Sequence, residues 1–460
     1  RWSTRINLKL DNGSFTSDVD IAGKMDLDHF EGLLAGQDIS SFERDTMEND
    51  DFLGFLPHLV MDSNNNLLSY IPVEEEVREA VSSMAQDSAP GPDGFLASFY
   101  TKAWEVVGPQ VVETVHDFFH GGFLIRGICS SRLILIPKVK NPSLISQYRP
   151  ISLCNVSYKI LATVIAKRLN KILPRLVLEE QYGFIQGRSI QGVVGIASEL
   201  VHDINRRTVG SNIIFKVDMH KAYDMVECSF IIHVMRGFGF QENLCDICFR
   251  FYSSPWFSVS LIGKCFGFFK SVRGVRQGDP FTHCIFVLAQ DTLSRNLKSS
   301  LVEGRLKPFR GRRSMVNISH LLFADDILIF TNDMRSSFNC LMGLLSSYDR
   351  LSGKSINSSK SNVFISEKCP SRRCRDIQGI LGYYQKHLPI SYLGVPISCD
   401  RIKKHHFNEI FDQILGRIFN WNNKLLSFGG RIMLINSVLT SIPMHIFSVI
   451  NPPKGSIGRM

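Results

Sequence analysis

The sequence has no run of 18 apolar residues free of charge, so no membrane-spanning helix is expected. Its opening stretch, "RWSTRINLKLDNGSF", lacks the apolar core of a secretory signal peptide. Secretion is therefore not expected. The first residue is Arg1 rather than Met, so the chain reads as a fragment. No internal repeat and no low-complexity tract is visible, which sets aside solenoids and disordered arrays. Cysteine is present, at 11 residues, but without the spacing of a disulfide or zinc framework. Cys245 and Cys248 form a lone C-x-x-C with no second pair. They read as reduced, half-buried helix thiols of an intracellular protein. His405-His406 has no Cys at metal spacing and reads as surface.

The 460 residues are 44% hydrophobic and 21% charged, which is ordinary for a globular protein of two to four domains or subdomains. The net charge of +9 hides an asymmetry. Residues 1–100 carry 6 basic and 19 acidic side chains, a net −13. The remaining 46 basic and 24 acidic residues give +22. The acidic part reads as a solvated or linker region, and the basic part suits a polyanion such as nucleic acid.

Residues 1–70 read as a poorly packed extension with short helices. "IPVEEEVREAVSSMA" (71–85) reads as an amphipathic helix with acids in its first turn. A helical stretch follows the "SAPGPDGF" turn, with a break expected at Gly108-Pro109. "SRLILIPK" and "NIIFKVDM" read as strands, and "YKILATVIAKRLNKILPRLV" as a helix with its Lys and Arg on the outer face. Asp279 and Pro280 look like the N-cap and first residue of a helix. "MRSSFNCLMGLLSSYDRLSG" reads as a helix stopped by Gly353. Mixed helices and antiparallel strands suggest an α+β class.

"HLLFADDILIF" (320–330) places Asp325 and Asp326 inside an apolar run. Burying polar groups without partners costs several kcal/mol, of order 2–7, and adjacent carboxylates repel each other. A lone Asp-Asp is ordinarily a solvated turn. Here two short strands flank it, so the turn would hold both carboxylates at the edge of a cleft. Asp218, ending the apolar strand "IIFKV", offers a third carboxylate. Such oxygens suit hard divalent cations. Two cations about 3.5–4 Å apart stabilise the attacking and leaving oxygens of a phosphoryl displacement.

Ten blocks in order sharpen this reading. They include "SAPGPDGF", "LILIPK", "QYRPISLCNVSYKILATVIAKRL", "EEQYGFIQGRSI", "FKVDMHKAYDMVE", "GVRQGDP", "HLLFADDILIF", "SGKSINSSKS", "SYLGVPIS" and "LSFGGRIMLINSVLTSIP". Over about residues 71–448 the chain resembles the reverse transcriptase region of plant LINE-type non-LTR retrotransposons. The resemblance implies a right-hand polymerase fold: an N-terminal extension at 1–70, fingers at 71–210, palm at 211–400 and a partial thumb at 401–460. It implies that Asp218, Asp325 and Asp326 are catalytic and bind two Mg²⁺ ions, or Mn²⁺. Tyr223 matches the aromatic that disfavours a 2′-hydroxyl, and Gln277 a glutamine near the incoming nucleotide. Lys138, Arg149 and Lys360 match basic residues near the nucleotide phosphates. Tyr182, Phe184 and Arg188 resemble a template-contacting segment, and Tyr392 and Gly394 lie in a stretch that resembles the family's primer-gripping segment.

The implied partners are an RNA template, a DNA primer and dNTPs, with no membrane. The implied location is nuclear or cytoplasmic, nuclear being favoured by analogy. Phe281-Thr282-His283, Met225 and Cys228 depart from the family pattern. No endonuclease segment precedes the matched region, and the end falls partway through the thumb. These features suggest an alternative, a catalytically defective remnant that only binds nucleic acid.

Overall fold

A computed structural model describes residues 8–10, 13–34, 51–139, 141–312, 317–400, 403, 407–408, 411–412, 414–416 and 446–449. Two sheets organise it. The larger is built on the strand Asn212–His220. Asp326–Asn332 pairs antiparallel along one edge, with Asn212 opposite Asn332 and Asp218 opposite Asp326. Asn362–Ile365 pairs antiparallel along the other. His320–Phe323 extends the first side as a tight hairpin, and the short Tyr384–Gln385 strand extends the second in parallel.

This sheet is covered on both faces, which explains why "NIIFKVDM" and "DILIF" read as continuous apolar runs rather than alternating ones. Phe215, Val217, Ile327 and Ile329 belong to one core with Phe286, Leu293, Leu341 and Leu345. Those partners lie on the helices Thr282–Val302 and Arg335–Ser352. Ile214, Leu328 and Phe330 belong to a second core with Val193, Ala197 and Leu200 of the helix Ile190–His202. The small hairpin Ile390–Tyr392 and Val395–Ile397 joins that second core.

The smaller sheet runs in the order Tyr148–Cys154, Ser130–Pro137, Trp256–Leu261, Lys264–Lys270. Its middle pair, Ser130–Pro137 with Trp256–Leu261, is parallel. The helix Val19–Leu34 lies across it. Contact there is so close that a Cβ on Gly267, which has φ +63°, would sit 2.2 Å from Leu27 Cδ1. Mixed helices with parallel and antiparallel strand pairs match the α+β expectation.

Several local expectations change. Residues 19–34 are a docked helix of 16 residues, not loosely packed extension, because Phe30 and Leu34 bury against Leu133, Phe257 and Phe269. Gly108-Pro109 does not break its helix, which runs unbroken over Trp104–Phe119. The helix Val156–Asn170 does not expose all its basic residues: Arg168 is 1% exposed, held by both oxygens of Glu76 at 2.7 Å and the carbonyls of Leu68 and Tyr70. Asp279 is not a helix cap. The helix begins at Thr282, and buried Asp279 accepts instead from Phe281 N–H and Tyr158 Oη. Cys245 and Cys248 are free and buried. The expected partial thumb at 401–460 lies mostly, and His405-His406 wholly, outside the described residues.

Candidate active site

The hairpin does what the sequence asked of it. Apolar Leu321, Leu322, Ile327 and Leu328 are buried on both sides of the turn. Ala324 takes φ +53° to close it. The turn is buttressed from outside: Tyr182 N–H donates to the Leu322 carbonyl at 2.8 Å. Gly183 passes so near that a Cβ there would stand 2.5 Å from Ala324 N. That close approach is why "QYGF" carries a glycine.

Three carboxylates gather at this end of the sheet. Asp218 and Asp326 face each other across the ladder, and Asp325 stands at the turn. Burial, then the nearby Asp325 carboxylate, raise the Asp218 pKa, with Lys360 and Lys216 opposing. Burial also raises that of Asp326, against Lys216. Lys360 Nζ lies 4.0 Å from Asp218 Oδ2, and Asp218 N–H donates to Ser361 Oγ. Lys216, two residues before Asp218 and so on the same strand face, places Nζ 3.3 Å from Asp326 Oδ1. It also donates to the Ser391 carbonyl at 2.7 Å, tying the Ile390–Ile397 hairpin to the site. Although within ion-pair distance, Asp326 Oδ1 is buried and receives no well-aligned hydrogen bond.

Asp218 and Asp325 open onto a cleft of about 320 Å³. Lys138, Arg149, Tyr223, Gln277 and Lys360 line the same cleft. These residues come from five separate sequence blocks, and the fold brings them to one surface. The Tyr223 ring stacks on Phe286 at 4.3 Å. Gln277 donates to Asp224 Oδ1 at 3.3 Å, and burial raises Asp224 to about 6. The two loops dock backbone to backbone, Val275 N–H to the Tyr223 carbonyl and Gly274 N–H to that of Val226.

The nucleic-acid candidates divide. Phe184 is exposed, has φ +61°, and lies against the His283 ring, tilted by 43° with centroids 4.3 Å apart. His283 is thus the ring partner of Phe184, and Phe281 and Thr282 beside it are buried. Tyr182 is partly buried against the second core. Arg188 differs from expectation: its guanidinium donates to the carbonyls of Leu178 and Gln181 and folds its own loop, rather than pointing outward for phosphate. Tyr392 also differs. Its ring is fully buried, so it is core, and its hydroxyl has no hydrogen-bond partner among the described residues. Gly394 is exposed in the hairpin turn with φ +78°.

Sequence reasoning missed Lys216, Lys221 and His29. The i, i+2 spacing of Lys216 to Asp218 was the available signal for the first. Lys221 lies within the "FKVDMHKAYDMVE" block, three residues after Asp218, and that position was its signal. His29 has none in the sequence, since it reaches the cleft only through helix docking.

The donor set fits hard divalent cations on two grounds: it is made of carboxylate oxygens, and one of them, Asp326 Oδ1, is buried with no well-aligned hydrogen bond among the described residues. Among the described residues no three His, Cys, Asp or Glu side chains are already drawn together as a ligand cluster.

Residues 136–397, more than half of the chain, match the family model described as reverse transcriptase (RNA-dependent DNA polymerase). A 149 kDa protein of transposon TX1 from Xenopus laevis is 26% identical over 84% of this chain and 29% of its own length. The Pol polyprotein of the type-2 retrotransposable element R2DM from Drosophila melanogaster is 26% identical over 65% of this chain and 27% of its own. A putative ribonuclease H protein of Arabidopsis thaliana is 38% identical over 14% of this chain and 11% of its own. The chain thus spans less than a third of the length of these relatives. It belongs to the reverse transcriptase (RNA-dependent DNA polymerase) family, with relatives among non-LTR retrotransposable elements of the TX1 and R2 kind.

Proposed function

We propose that this chain extends a DNA primer on an RNA template, adding dNTPs by phosphoryl transfer. One observation carries the reading: Asp218 and Asp326 are in register beside Asp325, and Asp218 and Asp325 share a cleft with Lys138, Arg149 and Lys360. Carboxylates and cations lining one cleft suit a triphosphate with its metal ions. The larger sheet is then the palm of a right-hand polymerase and the smaller sheet its fingers. The short match to the Arabidopsis protein supports a plant element.

Asp218, Asp325 and Asp326 would hold the divalent cations, Mg²⁺ by preference. Bound there, such ions neutralise charge on the attacking 3′-oxygen and the departing pyrophosphate. The rest of the work is positioning by the protein. Arg149 offers a rigid fork to phosphate oxygens, and Lys138 and Lys360 offer point charges. Tyr223, fixed by its stack on Phe286, leaves no room beside the sugar for a 2′-hydroxyl. Asp224 anchors Gln277 at the nucleotide side.

Purified protein, poly(rA)/oligo(dT), dTTP and Mg²⁺ test the proposal. Primer extension is expected, and Asp325→Asn should lower it by about 10² or more, the scale of losing one electrostatic element of a transfer site. Equal inactivity of the wild type and the variant would refute it.

A further inference from the structure

The cleft has a wall that lies outside the matched family region. His29 and Phe30, on the helix Val19–Leu34, line it together with Lys138 and Asp218. His29 Nε2 is 2.8 Å from Lys221 Nζ. Lys221 is half-buried, lines the same cleft, and holds φ +43°, a left-handed backbone unusual for a side chain of its size. Such strain persists where the surroundings impose it, and it clusters at functional sites.

The helix is positioned firmly enough to matter. Arg273 Nε donates to the Leu33 carbonyl at 2.8 Å, and Val272 N–H to that of Leu34 at 3.1 Å. Phe30 is 2% exposed. Lys264 pairs with Asp20 at 2.9 Å. His29 is therefore a fixed element of the wall, edge-on to Phe30 at 5.1 Å. Burial, the Lys221 ammonium and His220 hold the His29 pKa down to about 4. At neutral pH the ring is uncharged, so its Nε2 accepts from the Lys221 ammonium.

We propose that the N-terminal helix completes the polyphosphate subsite: Lys221 binds the nucleotide's β- and γ-phosphates beside Lys138, and His29 is the positioning residue that aims it. This rests on the polymerase reading only for the identity of the ligand. The geometry behind it is the convergence of Lys138, Lys221 and Lys360 on one cleft, which suits a polyanion.

Isothermal titration of the full chain with inorganic tripolyphosphate in EDTA separates the two. Lys221→Met and His29→Ala should each weaken binding about tenfold, the scale of one charge-assisted hydrogen bond. His29→Gln, which keeps an acceptor, should stay within about threefold of wild type, under 1 kcal/mol. Lys102→Ala, far along another helix, should change nothing. In primer extension His29→Ala should raise the dTTP KM about tenfold with kcat within about twofold, as expected for lost ground-state binding.

Wild-type affinity in His29→Ala, or an equal loss in His29→Gln, overturns the inference. So does a wild type that binds no tripolyphosphate. If His29-dependent binding is present but no primer is extended, the polymerase reading fails and this one stands. Extension with His29-independent binding has the opposite meaning.

Discussion

Asp26 offers a test of how the N-terminal helix is held. It is 1% exposed, and neither carboxylate oxygen has a hydrogen-bond partner among the described residues. Burial pushes its pKa up from 3.8 to about 7. Below pH 4 the carboxyl is protonated in both the docked and the opened state, so it subtracts nothing. Between pH 4 and 7 the opened state releases a proton that the docked state keeps. Stability therefore falls with rising pH across that window and is flat above it. The full difference is about 4 kcal/mol. Water reaching the opened edge of the helix reduces it, so about 2–4 kcal/mol is the expected range. Asp26→Asn keeps the shape and removes the titration. Hydrogen exchange of the 19–34 amides, variant beside wild type at each pH, reads local opening directly. Protection in the variant relative to wild type should be constant below pH 4 and rise roughly 30- to 1000-fold by pH 8. A ratio that stays flat from pH 4 to 8, or wild-type protection that grows over that range, would refute the reasoning.

Three further outcomes are expected. Arg168→Ala leaves Glu76 and two carbonyls without their buried partner, so it should cost about 3–5 kcal/mol and lower the melting temperature by several degrees; an unchanged melt would contradict the burial seen here. Lys216→Met removes the ion pair to Asp326 and the bond to the Ser391 carbonyl. It should reduce kcat by about tenfold with little change in nucleotide KM, and steady-state kinetics showing the reverse split would place Lys216 on the substrate instead. Tyr223→Ala removes the ring stacked on Phe286; the preference for dTTP over UTP should fall by about tenfold or more, and undiminished preference would assign sugar selection elsewhere.

The strands and helices that were legible share one property: their signals are local. "HLLFADDILIF" announced a hairpin because apolar residues flank a two-carboxylate turn, and Gly353 marked a helix end by its left-handed φ of +72°. What misled was local signal overridden by packing. Gly108-Pro109 reads as a breaker, yet the helix passes through it. Arg168 reads as an outer-face charge and Tyr392 as part of a primer-gripping segment, yet each is enclosed by segments far away in sequence. Arg188 reads as a phosphate contact because a guanidinium suits phosphate, but its own loop's carbonyls reached it first.

By itself the sequence determined the chemistry. Carboxylates at Asp218, Asp325 and Asp326, the basic residues around them and the blocks that carry the family resemblance are all one-dimensional facts. Tertiary structure decided which of these meet. It placed Asp218 opposite Asp326 through a strand register spanning more than a hundred residues. It set Lys138, Arg149 and Lys360 around one cleft. It also brought His29 to Lys221, across 192 positions of chain. No periodicity or spacing encodes that last contact, because it exists only when the hydrophobic face of the N-terminal helix buries itself on the smaller sheet.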